Sequence, residues 1–162
     1  MPLRKGYPLQ ALDRHRNDIV QDRARELGLA QEKLGATMLN HALKQRELQE
    51  HLNQTRDQSN AEFDRAIEDQ ATVDDLGRLF AWQAGQRLVA KTLSAQVQEA
   101  EERKLQAQRD VDRSRQQLLE SHKEAEVVRR HREDFEKHRR SLEEQFEEEE
   151  ANEASYTLRR KG

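Results

Sequence analysis

A chain of 162 residues with 33% hydrophobic and 38% charged residues is too polar to build a large globular core. Its 29 basic and 32 acidic residues give a net charge of -3, which does not favour nucleic acid as a partner, and the absence of cysteine excludes a disulfide framework. No apolar run is long enough to cross a membrane, and the start MPLRKGYPLQ lacks a signal-peptide core. We therefore expect a soluble, cytoplasmic protein built around a thin apolar seam.

The first predicted helix covers about residues 8–70. Pro8 follows Gly6-Tyr7 and suits the first helical position, where its missing N–H is not needed. A heptad pattern follows, with frequent polar interruptions and a local change of period before Phe63. One predicted seam series is Leu27, Leu34, His41, Leu48 and Thr55; the other is Ala24, Gln31, Met38, Gln45, Leu52 and Ser59.

A turn is predicted at about residues 71–73. Thr72 and Asp75 have the spacing of a capping box, in which each side chain bonds the backbone N–H of the other residue. A second helix should therefore begin near Val73. Two long helices joined by so short a turn must lie antiparallel.

The second predicted helix runs to about residue 154 and keeps one heptad register throughout, followed by a flexible tail at 155–162. Fourteen of its twenty-two seam positions are apolar, which is typical of a coiled coil. One series is Leu76, Gln83, Ala90, Val97, Lys104, Val111, Leu118, Ala125, Arg132, Arg139 and Phe146; the other is Leu79, Gln86, Leu93, Ala100, Ala107, Ser114, Ser121, Val128, Phe135, Leu142 and Glu149.

The predicted fold class is all-α: a single domain over 1–162, formed by a long, two-helix antiparallel coiled-coil hairpin. Folding back at the turn should pair residues whose numbers add to about 143–147, which brings Leu12 near Arg132 to Phe135. The second helix beyond about residue 140 should overhang the start of the first.

Motifs for catalysis or cofactor binding are absent from the sequence, so we predict no enzyme, no cofactor and no metal site. His131, Asp134 and His138 share one helix face, but the cations around them favour ion pairing over metal binding. The basic stretch 129–140 is diluted by carboxylates, which favours a solvated face over nucleic acid. The acidic run Glu143 to Glu153 has two interpretations: a solvated helix end or a docking element for a basic surface.

The stretch DDLGRLFAWQAGQRL (74–88) lies just after the turn and holds the only tryptophan. Trp82 is off the predicted seam and is expected to be mostly exposed. It is either a binding anchor, as tryptophan often is at interfaces, or a cap over the turn. Gly77 and Gly85 each cost about 1 kcal/mol in a helix, which is consistent with a tip that bends on contact.

Three features together resemble the YscO/FliJ-like stalk proteins of type III secretion. They are the entry YPLQALDRHR (7–16), the charged coiled coil and the acidic end LEEQFEEEEANEAS (142–155). Tyr7, Leu9, Leu12, Arg14 and Arg16 match the entry, and Glu150, Asn152 and Glu153 match the exit. Asp13 departs from the pattern, because a second leucine is common there.

The resemblance implies a non-enzymatic stalk, similar in shape to the central γ stalk of rotary ATPases, at the cytoplasmic face of the bacterial inner membrane. The implied partners are a hexameric secretion ATPase, the cytoplasmic domain of the export gate and, for some members, secretion chaperones; neither nucleic acid nor membrane insertion is implied. The ATPase would contact Tyr7, Leu9, Leu12, Arg14, Arg16, Phe135, Arg139, Arg140, Leu142 and Phe146. The gate would contact Leu76, Leu79, Phe80, Trp82 and Leu88.

Other classes of function predict different surfaces. A generic coiled-coil scaffold or homodimer predicts continuous seams without an apolar tip, and a secretion chaperone or adaptor predicts an exposed apolar groove along the coiled coil. A peripheral stalk of a rotary ATPase predicts the same shape with permanent attachment.

Overall fold

Two α-helices make up almost all of the structure, a computed structural model that describes the backbone of residues 6–160 and the side chains of residues 6–156. Helix α1 spans Gln10–Glu68 and helix α2 spans Val73–Arg160. Within the described part of the chain there is no strand, and no helix there combines the length and apolar character needed to cross a membrane. The predicted all-α helical-hairpin fold class is confirmed.

The helix bounds differ slightly from the predicted ones. α1 begins two residues later and ends two residues earlier, and α2 continues to Arg160, so residues 155–160 of the predicted tail are helical. Residues 1–5 and 161–162, which the predicted domain includes, lie outside the described residues. The fold divides into two compact units: a terminal unit of Met1–Glu26 with Ser114–Gly162, and a tip unit of Leu27–Arg113.

The turn forms as its sequence predicts. The N–H of Ala71 bonds the carbonyl of Ala66 at 2.9 Å, and Gln70 takes the left-handed conformation (φ 49°) that ends many helices. The Asp75 N–H then bonds the Thr72 hydroxyl at 3.3 Å, and the Thr72 N–H bonds the Asp75 carboxylate at 3.1 Å. The Thr72 hydroxyl also donates to the Asp75 carboxylate at 2.7 Å, and this bond, with that from the Thr72 N–H, holds the pKa of Asp75 below its usual value. The capping box is confirmed.

Cross-helix contacts inside each unit confirm the antiparallel register. In the terminal unit Arg132 bonds Asp13, and in the tip unit His41 lies 2.8 Å from Glu101; the numbers of these pairs add to 145 and 142. Other cross-helix contacts give lower sums, 137 for His51 with Gln86 and 135 for Tyr7 with Val128, so the observed pairing lies partly below the predicted range of 143–147. The expected proximity of Leu12 to Arg132 is met by its neighbour Asp13.

The α2 seam is also confirmed. Of its twenty-two predicted positions, only Arg132, Phe146 and Glu149 are exposed. Small side chains dominate its best-packed part, where Ala100, Ala107 and Val111 are almost completely buried. Small residues at a helix interface let the two backbones approach closely.

One of the two predicted α1 series is wrong. Leu27, Leu34, His41, Leu48 and Thr55 face the partner helix, but the second series is exposed except at Ser59. The residues that complete the seam lie one position earlier: Arg23, Ala30, Thr37, Lys44 and His51. Ile67 is likewise exposed, whereas Phe63 is half-buried as predicted.

Polar bonds between the two helices of the tip unit explain why α1 buries this face rather than the predicted one. The ring of His51 lies 3.2 Å from the carbonyl oxygen of Gln86, and the Gln83 amide donates to Ser59 at 2.6 Å. Because buried polar groups that are bonded cost little, these side chains can occupy the seam. The apolar side chains of Met38 and Leu52 consequently lie outside it.

Substitution of single apolar residues by alanine tests which of them lie in the buried seam. Val111 is 1% exposed, so Val111→Ala should lower the free energy of unfolding by about 1–3 kcal/mol in urea titrations followed by circular dichroism. Met38 is 53% exposed, so the matched Met38→Ala should change it by less than about 0.5 kcal/mol. Equal losses in the two variants would contradict the observed α1 face.

Candidate partner-binding surfaces

The entry of the chain is fixed to α2 by Tyr7. Its ring is buried and lies 5.7 Å from the ring of Phe135, centre to centre. Its hydroxyl lies 2.8 Å from Nδ1 of His131 and 3.4 Å from the Val128 carbonyl oxygen, to which it can donate. Tyr7 therefore holds the terminal unit together, and its side chain is largely withdrawn from any partner.

Asp13 stands where a leucine is common in the resembled family, and a basic side chain of α2 pairs with it. Asp13 is buried and accepts a 3.0 Å hydrogen bond from the guanidinium of Arg132, which also donates to Glu136. Both carboxylates raise the pKa of Arg132, Glu136 more than Asp13. Where the resembled family commonly has a leucine, this chain has a cross-helix ion pair that fixes the register of its terminal unit.

The remaining residues predicted to meet an ATPase fall into three groups. Leu9, Leu12, Arg14, Arg140 and Phe146 are exposed. Phe135 and Leu142 are half-buried, Phe135 against Tyr7. Arg16 and Arg139 are half-buried and already paired, with Glu124 across the helices and with Glu143 on α2 respectively.

α2 extends well beyond the start of α1. The outermost ring contact between entry and α2 joins Tyr7 to Phe135, and α2 continues from there to Arg160. Phe146 is 53% exposed on this extension, among the glutamates of the acidic run. An exposed aromatic ring on an acidic helix is a surface that a partner with apolar and basic groups can cover.

The basic stretch 129–132 is neutralised within its own helix. Arg129 and Arg130 both bond Glu126, and their hydrogen bonds lower the pKa of that carboxyl to about 2. Arg129 also pairs with Glu133. These contacts support the interpretation of the stretch as an ion-paired solvated face. Among the described residues no group of three or more histidine or acidic side chains is arranged to hold a metal ion.

The tip unit places its aromatic residues on two flanks of α2. Trp82 and Phe80 are two residues apart, hence about 160° apart around the helix. Phe80 is exposed and lies edge-on to Phe63, with ring centres 6.2 Å apart. Leu88 is exposed too, whereas Leu76 and Leu79 are half-buried at their seam positions. Of the predicted gate contacts, Leu79 and Trp82 line the same groove, whereas Phe80 lies on another flank of α2.

Trp82 is half-buried, and the expectation that it is mostly exposed is wrong. It lines an open groove of about 770 Å³ beside the turn, together with Leu79, Glu62, Arg65 and Arg78. The groove is also lined by Ala71 and Thr72 of the turn, so Trp82 lies beside the turn, and its role as a binding anchor stays a prediction.

No protein-family model matches the sequence, and no curated protein matches it. Among solved structures the chain is similar to one described as "a putative YscO homolog CT670 from Chlamydia trachomatis", with a TM-score of 0.84. The two chains share one fold. The likeness covers 97% of this chain and 96% of the other at 20% sequence identity, so it is the fold, rather than the residues of a site, that is shared. The resemblance to YscO-like proteins is confirmed at this level.

The substitution Tyr7→Phe tests whether the Tyr7 hydroxyl holds the start of the chain against α2. Loss of the hydroxyl should cost about 1 kcal/mol of unfolding free energy and speed amide hydrogen exchange in the first turns of α1. Tyr156→Phe is the matched control, because Tyr156 is exposed, and it should change neither quantity. If exchange at residues 10–20 is the same in both variants, the Tyr7 hydroxyl does not hold the entry.

Proposed function

We propose that this chain is a non-enzymatic stalk component of a type III secretion system, acting at the cytoplasmic face of the inner membrane. The observation that carries the proposal is the end-to-end likeness in fold to a protein described as a YscO homolog. The matching entry and exit residues of the sequence support it independently. A generic scaffold is less favoured, because Trp82 at the groove and the exposed Phe146 on the acidic terminal extension serve no purpose in the seam.

The terminal unit is proposed to enter the pore of a hexameric secretion ATPase. Leu9, Leu12 and Phe146 offer exposed apolar surface, and Arg14 and Arg140 are exposed cations. Tyr7, Phe135 and Leu142 support this end from inside, while Arg16 and Arg139 border it. Six copies of a pore loop could bury the apolar groups and meet the acidic extension with cations.

The groove beside the turn is proposed to contact the cytoplasmic domain of the export gate. Trp82 supplies a large, partly desolvated ring, and tryptophan is prominent among interface hot spots. Arg65, Arg78 and Glu62 line the same groove and could orient a partner through polar bonds. Contacts of the terminal unit with the ATPase and of the tip unit with the gate would let one chain couple the two. Secretion chaperones are a further proposed partner.

Phe146→Ala tests the terminal assignment. Phe146 is exposed, so the melting curve should not move, whereas affinity for the purified ATPase should fall about tenfold and stimulation of ATP hydrolysis should fall with it. Val127→Ala removes a comparably exposed apolar group of α2 and is the control. Deletion of residues 143–162 should abolish stimulation while the rest of α1 and α2 stays helical. Undiminished stimulation after the deletion would refute the assignment.

Trp82→Ala tests the tip. Affinity for the gate domain should fall by about 2 kcal/mol, or roughly thirtyfold, beyond a modest loss of stability from the half-buried ring. Val89→Ala, which truncates an exposed apolar residue of α2 outside the groove and outside the predicted gate contacts, is the control and should leave affinity unchanged. Addition of the gate domain should also shift tryptophan emission to the blue. Equal affinities of both variants would contradict the groove as the gate site.

A further inference from the structure

The proposed function leaves one apolar face of the tip unit unused. Leu29, Ala36, Leu39 and Leu43 lie on the side of α1 that points away from α2, at spacings of seven, three and four residues. The three leucines are 67%, 64% and 49% exposed. This spacing is that of a coiled-coil seam, yet the helix that would complete it is not α2.

Two glycines lie beside this face, and no contact among the described residues requires glycine at either position. Gly28 and Gly35 each precede a residue of the face, and Ala42 continues the same series. A methyl group added to either glycine would meet no atom within 4 Å. Each glycine weakens the helix relative to alanine. Small side chains along one flank would, however, let a second helix approach the face closely.

The opposite flank of this face carries one basic and one acidic residue, so it can form ion pairs with the same flank of a second copy. Lys33 and Glu47 are both exposed, and Lys33 makes no ion pair or hydrogen bond among the described residues. Glu47 lies 2.7 Å from Lys44, and its carboxylate is still half exposed. When two copies of α1 are set antiparallel with Ala36 opposite the partner's Leu39, heptad geometry puts Lys33 opposite the partner's Glu47. The two-fold symmetry produces this pair twice.

We propose that this face is the interface of a weak, antiparallel dimer of the chain. In that arrangement Leu29 lies opposite the partner's Arg46, whose aliphatic stem can cover it, and the glycine flanks of the two copies meet. The face holds only four apolar side chains, far less than the roughly 800 Å² per partner of a standard interface. The dissociation constant of the dimer is therefore expected to be roughly 100 μM or above. It requires neither an ATPase nor an export gate.

Reversal of the two charges tests the orientation and the partner together. Sedimentation velocity of the full chain should show self-association that increases from about 10 μM to about 1 mM. Lys33→Glu and Glu47→Lys should each weaken it at least tenfold, because each homodimer then opposes like charges. An equimolar mixture of the two variants should recover it as a heterodimer, in which both pairs are again opposite in sign. Lys91→Glu, an exposed change on α2, is the control and should have no effect.

Cross-linking provides a second measurement, since the chain has no cysteine of its own. A mixture of Leu29→Cys and Arg46→Cys variants should form a disulfide readily, and Leu29→Cys alone should not. A chain that stays monomeric to 1 mM, a mixture of charge variants that fails to associate, or cross-linking by Leu29→Cys alone would overturn the proposal. The last result would indicate a parallel dimer.

Discussion

Each helix of a two-helix pair can bury only one narrow stripe of side chains against its partner. This constraint limits how much apolar surface α1 and α2 can bury. Among the described residues only Tyr7, Ala100, Ala107, Val111 and Val128 are buried apolar side chains. So small a set cannot by itself select one register from several. Polar bonds across the seam make that selection, because an unbonded polar group in the seam would cost more than the few apolar contacts return.

The two helices differ in how well their sequences predict this seam. α2 places apolar residues at fourteen of twenty-two positions in one uninterrupted register, so its face could be read from periodicity. In α1 one series belongs to both candidate faces. The second series is half apolar on the predicted face and mostly polar on the observed one. Met38 and Leu52 favoured the wrong face. The deciding contacts, His41 with Glu101 and His51 with Gln86, join residues far apart in the chain, and no local pattern contains that information.

The candidate partner-binding surfaces, like the seam, could be predicted only in part from the sequence. The concentration of aromatic residues after the turn correctly marked the tip, and the capping box located the turn to within about two residues. The sequence could not show that Trp82 borders a groove while Phe80 lies against Phe63, since both depend on where α1 passes. Asp13 departs from the pattern of the resembled family, in which a leucine is common at this place. Arg132, itself an apparent fault in the α2 seam, converts it into a cross-helix ion pair.

The polar seam and the exposed apolar groups have a common energetic consequence. A seam of small and polar side chains stabilises the folded chain only modestly, so the apolar surface that lies outside it becomes important whenever a partner covers it. A partner that binds only the folded form adds its own free energy to that of folding, by an amount that grows with its concentration. Phe146 on the terminal extension, Trp82 at the groove and Leu39 on the outer face of α1 lie at three separate places. The stability of the isolated chain therefore comes from its seam, and a partner that covered any of these apolar side chains would add to it.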